Sequence, residues 1–376
     1  MDLIGGFNVF INKKGMKEKI VIDARMINNS GIGTYLKNII PFFIDKFNVV
    51  LLGDKKQLVV FENKEKNNII SFSAKIYSIE EQLAFPFVIP SCNIFWSPHF
   101  NTPIFPTKAG KYITTIHDVN HLAFDGKINY LKKKYAKFLY LNALNKSDKI
   151  ITVSNFSKNE IIRFLKPKNN CLNVIYGGVN ASFFNTNNKD INFKLPEKYI
   201  LFVGNVKPHK NLITLFEAYV KLPKNIKEKY QLLILGKKNG FITPDKKVFK
   251  FIEDNDLSKN IVFTGFVEDK FLPLIYKKAA LFVFPSLYEG FGLPILESMA
   301  SKTVVLSSSY ASLPEVGQDC AIYFDPKNSV DLKEKIVEVL SNDTLRELYI
   351  GKGYIHSKKF SWKISAEKHI NLFKTS

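Results

Sequence analysis

The chain is 376 residues long, 46% hydrophobic and 23% charged, with 54 Lys and Arg against 34 Asp and Glu and a formal net charge of +20. That length exceeds one ordinary core and suits two domains of roughly 150 to 200 residues. A mean hydropathy of −0.05, with no apolar run near the roughly 20 residues of a spanning helix, excludes a membrane-spanning helix and a disordered chain alike.

Nearly all of the positive charge is lysine, the arginines being Arg25, Arg163 and Arg346. A coding bias toward AT-rich codons and an anionic partner account for it equally well. Cys92, Cys171 and Cys320 are odd in number and lack metal-ligand spacing, so they read as reduced thiols of a cytoplasmic protein. The first residues do not read as a secretory signal, and none is expected. Met16 opens MKEKIVIDARM, a natural start, and residues 1–15 read as an extension ahead of it.

From there, short β-branched runs alternate with amphipathic helical stretches, the pattern of α/β domains on parallel sheets. Strands are predicted at 19–23, 49–52, 68–72, 93–96, 112–116, 149–153 and 173–176, then at 199–203, 231–235, 261–264, 281–284, 303–307 and 321–324. Both halves are therefore Rossmann-like. The polar, Asn-rich run at 182–198, with a proline ahead of a fresh apolar strand, marks the boundary. This gives a first domain at 1–185, a second at 186–358 and a closing helix within 359–376, where Phe360 and Trp362 precede Ile364, Ile370 and Leu372.

In chain order, NNSGIGTYLKNI (28–39) opens a helix with Gly31 and Gly33. It is not a dinucleotide fingerprint, because the third glycine would fall on Leu36, which disfavours an NAD-dependent oxidoreductase. TIHDVNHL (115–122) places His117 and Asp118 at the carboxyl end of a strand, where open α/β sheets bind ligands. KINYLKKKYAKFLYLNALNK (127–146) interleaves Lys132, Lys133, Lys134 and Lys137 with Tyr and Leu. It reads either as a helix resting on anionic headgroups or as an ordinary lysine-rich surface helix. In VSNFSKNEI (153–161), Ser154 or Asn155 is a helix N-cap.

LFVGNVKPHKNLITLFEAY (201–219) is a strand, a loop and a helix, with Lys207, His209 and Lys210 in the loop. A fixed cation there stabilises the charge of a departing diphosphate. Asp254 and Asp256 form a DxD in a polar stretch and read as a solvated helix end. No metal is expected.

The strongest motif is SLYEGFGLPILESMA (286–300), which follows a buried strand and runs into a helix. Gly290 and Gly292 let backbone approach a ligand, and Pro294 suits the first turn of a helix whose N–H groups favour a phosphate. Glu289 and Glu297 flank that loop, seven residues between them, and carboxylates match pairs of hydroxyls. Glu315, in SSSYASLPEVGQDCAIYFDP (307–326), reads as structural rather than catalytic.

The 286–300 segment resembles the E-x7-E signature of family 4 retaining glycosyltransferases, and the similarity runs from Lys17 to the last helix. It implies the GT-B fold, two Rossmann-like domains with parallel sheets facing a central cleft. It implies that Glu289 contacts hexose hydroxyls and Glu297 the nucleotide ribose, and that His117 faces the donor sugar. Gly31 and Gly33 would line the cleft near the donor phosphate, with the backbone of Gly290, Phe291, Gly292 and Leu293 on the diphosphate. Lys210 matches the family's loop lysine. Asn205 stands where the family usually has Arg, which leaves open whether Lys207 supplies the second charge. The GNVKPHKN loop is similar to that of bacterial polysaccharide enzymes, often mannosyltransferases.

The resemblance thus implies a hexose moved from a nucleotide sugar, GDP-mannose or else a UDP- or dTDP-sugar, to a glycan or lipid-linked acceptor. No cofactor is expected, since the nucleotide sugar is a substrate. Nucleic acid is not an expected partner, and the expected location is the cytoplasm, in peripheral contact with the inner face of an anionic membrane. The rival readings are an epimerase or hydrolase on the same fold, and a basic nucleic-acid or membrane-binding protein without catalysis.

Overall fold

The computed structural model describes residues 17–62, 68–124, 130–167, 172–185, 195–236 and 246–375. Residues 1–15, Cys171, the middle of the 182–198 boundary and the start of the 127–146 stretch lie outside the described residues.

Seven strands form the first sheet: β1 Lys19–Asp23, β2 Asn48–Gly53, β3 Ile69–Ser71, β4 Cys92–Ser97, β5 Ala109–Thr115, β6 Lys149–Thr152 and β7 Leu172–Val174. All pairs are parallel, in the order β3-β2-β1-β4-β5-β6-β7. The second sheet holds β8 Tyr199–Val203, β9 Gln231–Leu235, β10 Ile261–Gly265, β11 Leu281–Phe284, β12 Val305–Ser308 and β13 Ile322–Phe324, again parallel, in the order β10-β9-β8-β11-β12-β13. Both are doubly wound. Their order reverses between β1 and β4 and between β8 and β11, and the carboxyl ends at those switch points are where such sheets bind ligands.

Parallel strands are covered on both faces, which is why they read as nearly continuous apolar runs. Alternate residues of β1 show the division. Ile20 and Ile22 join a core with the helix Ile32–Lys46 and the last helix, Trp362–Lys374, whereas Val21 packs with Phe85 and Phe95 beneath the helix Ile79–Val88. The helices start where their caps dictate. Ser78 accepts from Glu81 N, Ser154 from Ser157 N, and Ser361 from Lys363 N.

The last helix returns to the first domain. Ser361 bridges Val179, and Trp362, Ala366, Ile370 and Phe373 enter the first-domain core. The Phe373 ring meets Phe43 edge-on at 4.9 Å and Trp96 at 5.4 Å. Burying such a ring contributes on the order of 2 to 3 kcal/mol, enough to hold this chain end across the seam. Among the described residues no helix is long and apolar enough to cross a membrane.

Candidate active site

The second sheet presents two loops at its switch point. After β8, Val203 leads through Gly204 and Asn205 to a single 3-10 turn, Pro208–Lys210. After β11, Pro285 leads to Glu289 and the glycines, then to the helix Leu293–Ala300 with Pro294 in its first turn. The loops are stitched together. Asn211 Nδ2 donates to Pro285 O at 3.0 Å, and Leu287 N donates to His209 O at 2.8 Å. This brings Lys210 Nζ to 2.6 Å from Glu289 Oε1, both side chains mostly buried.

Burial pushes the Glu289 carboxyl up, but the Lys210 charge and hydrogen bond push it down further, so it stays ionised below the ordinary carboxylate range. Burial and neighbouring Lys210 hold His209 down at about 4, a neutral ring. Burial and Lys210 also lower Lys207, while Asp118 and Glu289 pull it the other way. Asp118 belongs to the first domain, so Lys207 sits within electrostatic reach of both.

The 289–292 loop is clamped by hydroxyls. Ser312 Oγ donates to Glu289 O at 2.9 Å and to Phe291 O at 2.7 Å, and Ser154 and Ser157 of the first domain donate to Gly290 O at 2.6 and 3.0 Å. Gly292 holds φ at +115°, a conformation that disfavours any side chain. Gly290 has a different reason, because a Cβ there would lie 2.6 Å from His117 O.

His117 follows β5. Its Nε2 lies 3.0 Å from Pro98 O, and since a carbonyl only accepts, Nε2 carries the proton. Burial lowers the ring's pKa against the pull of Asp118, so His117 is neutral with Nδ1 as acceptor. Tyr35 packs edge-on to it at 5.0 Å. The first-domain glycine loop reaches the other side of the cleft, with Ser30 Oγ 3.5 Å from Asn205 Nδ2.

Several expected residues occupy more structural positions. Gly31, at φ +54°, is the N-cap of helix Ile32–Lys46, and Gly33 is buried, a Cβ there falling 2.4 Å from Ile27 O. The Phe291 ring stacks on Tyr176 at 5.7 Å, and Leu293 packs against both domain cores. Glu297 accepts from Tyr276 OH at 3.0 Å, and burial pushes its carboxyl up to about 7, against that bond.

Glu315 matches its structural reading. Its carboxylate accepts from Asn155 N at 2.7 Å and Phe156 N at 2.9 Å, the free N–H groups at the start of helix Asn155–Leu165, and from Tyr176 OH at 2.8 Å. A second-domain carboxylate thereby caps a first-domain helix. Asp254 and Asp256 are both exposed at a helix end. Among the described residues no group of three or more His, Cys, Asp and Glu is placed to hold a metal. Ser312, Asn211 and Tyr276 were not singled out by sequence, since an isolated hydroxyl or amide outside a motif carries no signal.

The family description "Glycosyltransferase Family 4" matches residues 48–183, and "Glycosyl transferases group 1" matches residues 183–355. An uncharacterised glycosyltransferase of Methanocaldococcus jannaschii is 30% identical over 280 residues, 70% of this chain and 69% of that one. The chain belongs to the group 1 glycosyltransferases. Other relatives of this glycosyltransferase include the Escherichia coli O-antigen chain mannosyltransferase B, 29% identical over 75% of this chain and 74% of its own. The E. coli serotype-specific mannosyltransferase WbdA is 29% identical over 70% of this chain, which spans only 33% of WbdA.

Among solved structures, sucrose-phosphate synthase from Thermosynechococcus elongatus superposes with a TM-score of 0.77 at 16% identity, covering 96% of this chain and 99% of that one. Anabaena HepE in complex with UDP-glucose gives 0.73 at 15%, covering 96% and 100%. At such identities they speak for the fold alone, and the glycosyltransferase has the GT-B architecture.

Proposed function

We propose that this glycosyltransferase moves a mannosyl residue from GDP-mannose, with retention of configuration, to a glycan or lipid-linked acceptor of a cell-surface polysaccharide. The observation that carries the reading is the Lys210–Glu289 pair at the second-domain switch point, beside Gly290, which abuts His117 of the first domain. The names of its relatives, O-antigen mannosyltransferases of E. coli and Salmonella typhimurium, support the sugar and the polymer.

In this reading Glu289 accepts hydrogen bonds from hexose hydroxyls, and Glu297 with Tyr276 receives the ribose. Lys210, helped by Lys207 and by the N–H groups of residues 290–293, stabilises charge on the leaving diphosphate. His117 accepts a sugar hydroxyl through Nδ1. The bond from the sugar's anomeric carbon to the phosphate oxygen breaks, the acceptor hydroxyl bonds to that carbon on the same face, and its proton passes to the leaving phosphate. No metal enters this scheme. The domains exclude the water that would otherwise hydrolyse the donor.

A thermal-shift panel of GDP-mannose, UDP-glucose, UDP-N-acetylglucosamine and dTDP-rhamnose, without added metal, tests the donor, because a ligand that binds the folded state raises Tm. Stabilisation by GDP-mannose above the rest is expected, followed by an α-mannosyl product on NMR. Selective stabilisation by a UDP- or dTDP-sugar would sink the donor assignment, and an inverted product would sink retention.

A further inference from the structure

His117 is held at one nitrogen by Pro98 O, and a ring fixed at a single point can still turn about that bond. The wall against it is Tyr35, whose ring stands at 87° to the imidazole with centroids 5.0 Å apart, the edge-on arrangement that aromatic rings favour. Tyr35 lies in the first turn of helix Ile32–Lys46, just past Gly31 and Gly33, and is buried.

What fixes Tyr35 comes from the far end of the chain. Its hydroxyl lies 2.5 Å from Nε2 of His369, 334 positions on, in the last helix. His369 Nδ1 lies 2.7 Å from Ser365 O. A carbonyl only accepts, so Nδ1 carries the proton, and burial holds the ring's pKa down at about 4, which keeps it neutral. Nε2 is therefore an acceptor, and Tyr35 OH donates to it. The phenol oxygen in turn accepts from Thr115 Oγ1 at 3.4 Å, and Thr115 Oγ1 accepts from Trp96 Nε1 at 3.0 Å. Each proton in the series Trp96, Thr115, Tyr35, His369, Ser365 thus has one direction.

This series reaches His117 from two sides. Thr115 ends the strand that leads into His117, two residues ahead of it, while Tyr35 supplies the ring beside it. His369 itself is wholly buried on a helix whose other inward residues include Trp362, Ala366, Ile370 and Phe373, all in the apolar core. A polar side chain is costly in such a place unless it is paired, and packing alone would be served by leucine.

We propose that Tyr35 and His369 are positioning residues for His117: the last helix anchors the Tyr35 hydroxyl, and the anchored ring keeps the imidazole on Pro98 O with Nδ1 as acceptor. This rests on the sugar-contacting role proposed above for His117. The first-domain side of the site is then complete only when the last helix has docked.

NMR of the full chain carrying nitrogen-labelled histidine tests the geometry without any ligand. In the parent, His117 should be a pure Nε2–H tautomer and His369 a pure Nδ1–H tautomer. Tyr35→Leu should leave His117 a mixture of tautomers, and His369→Leu should do so in part. His369→Gln, whose amide oxygen accepts from Tyr35, should keep His117 as in the parent. With GDP-mannose, kcat should fall about tenfold to a hundredfold in Tyr35→Leu, as for a misplacement of up to about 1 Å. No further loss should appear when Tyr35→Leu is added to His117→Ala. Should Tyr35→Leu fail to fold by circular dichroism, Tyr35→Phe, which keeps the ring and loses its anchor, carries the same readouts with smaller changes. A single His117 tautomer in the Tyr35 variant, a parental kcat there, or an equal loss in the His117→Ala background would overturn the proposal. Parental tautomers and kcat in His369→Leu would overturn the part played by the last helix. If His117→Ala transfers like the parent, the role of His117 itself fails, and the tautomers still decide whether Tyr35 and His369 hold the ring.

Discussion

Lys210 and Glu289 stand 79 positions apart in the chain and 2.6 Å apart in space, each on one side of the strand-order reversal of the second sheet. Neither charge is left alone in a mostly buried site. In the proposed function a diphosphate would compete with Glu289 for the lysine, and a sugar hydroxyl with Lys210 for the carboxylate.

Glu289→Gln keeps the shape and removes the charge. Transfer should fall about 100-fold to 1,000-fold, the usual cost of removing one preorganised polar group from a reacting centre, and Lys210→Ala should fall by a similar factor. The double variant should lose less than the product of the two, because the partners act as a unit. Steady-state kinetics on the three variants checks this, and strict multiplicativity would show that the pair is not coupled.

Glu315→Ala removes the acceptor for two helix N–H groups and for Tyr176 OH at once. A destabilisation of about 2 to 3 kcal/mol is expected, as for hydrogen bonds to a charged group, with Glu315→Gln losing about half. Urea denaturation measures it. Because the bonds cross between domains, a variant that melts like the parent would mean the capping contact is not maintained in solution.

Glu297 is held up to about 7 by burial, above its unfolded value near 4.5. The native state therefore binds the proton more tightly, so a destabilising contribution appears above pH 4.5 and is complete above pH 7. Glu297→Gln should raise Tm at pH 8 by about a few degrees and leave it nearly unchanged at pH 4. Scanning calorimetry across that range decides the matter, the opposite pH trend being the contrary result.

Gly290→Ala would set a methyl group 2.6 Å from His117 O, so the loop or the domain seam has to shift. Transfer should drop at least about 100-fold, as expected for misplacement by about 1 Å, while circular dichroism stays that of the parent. Retention of full activity would mean the first domain does not abut the loop in the working enzyme.

Thirteen strands are recognisable in the sequence because a buried parallel strand has to be an apolar, β-branched run. Their ends are less so. The run at 112–116 is strand from Ala109 to Thr115, since Ala109 and Lys111 pair with Cys92 and Ile94, and the 303–307 run begins pairing at Val305. Ladder bonds depend on the neighbouring strand, which local composition does not record. Similarly, Ser154 is legible as an N-cap, but its bond to Gly290 O, 136 positions on, is not.

By itself, the sequence determined the α/β class, the two glycine-bearing loops and the chemical types on them, because periodicity, glycine and charge act within a few residues. The tertiary structure alone decided which of those groups meet. It joined Lys210 to Glu289, gave Glu297 to Tyr276 and made Glu315 the cap of a helix in the other domain. Ion pairing and desolvation depend on distance and burial, and both are settled only when residues 21 to 160 positions apart in the chain pack together.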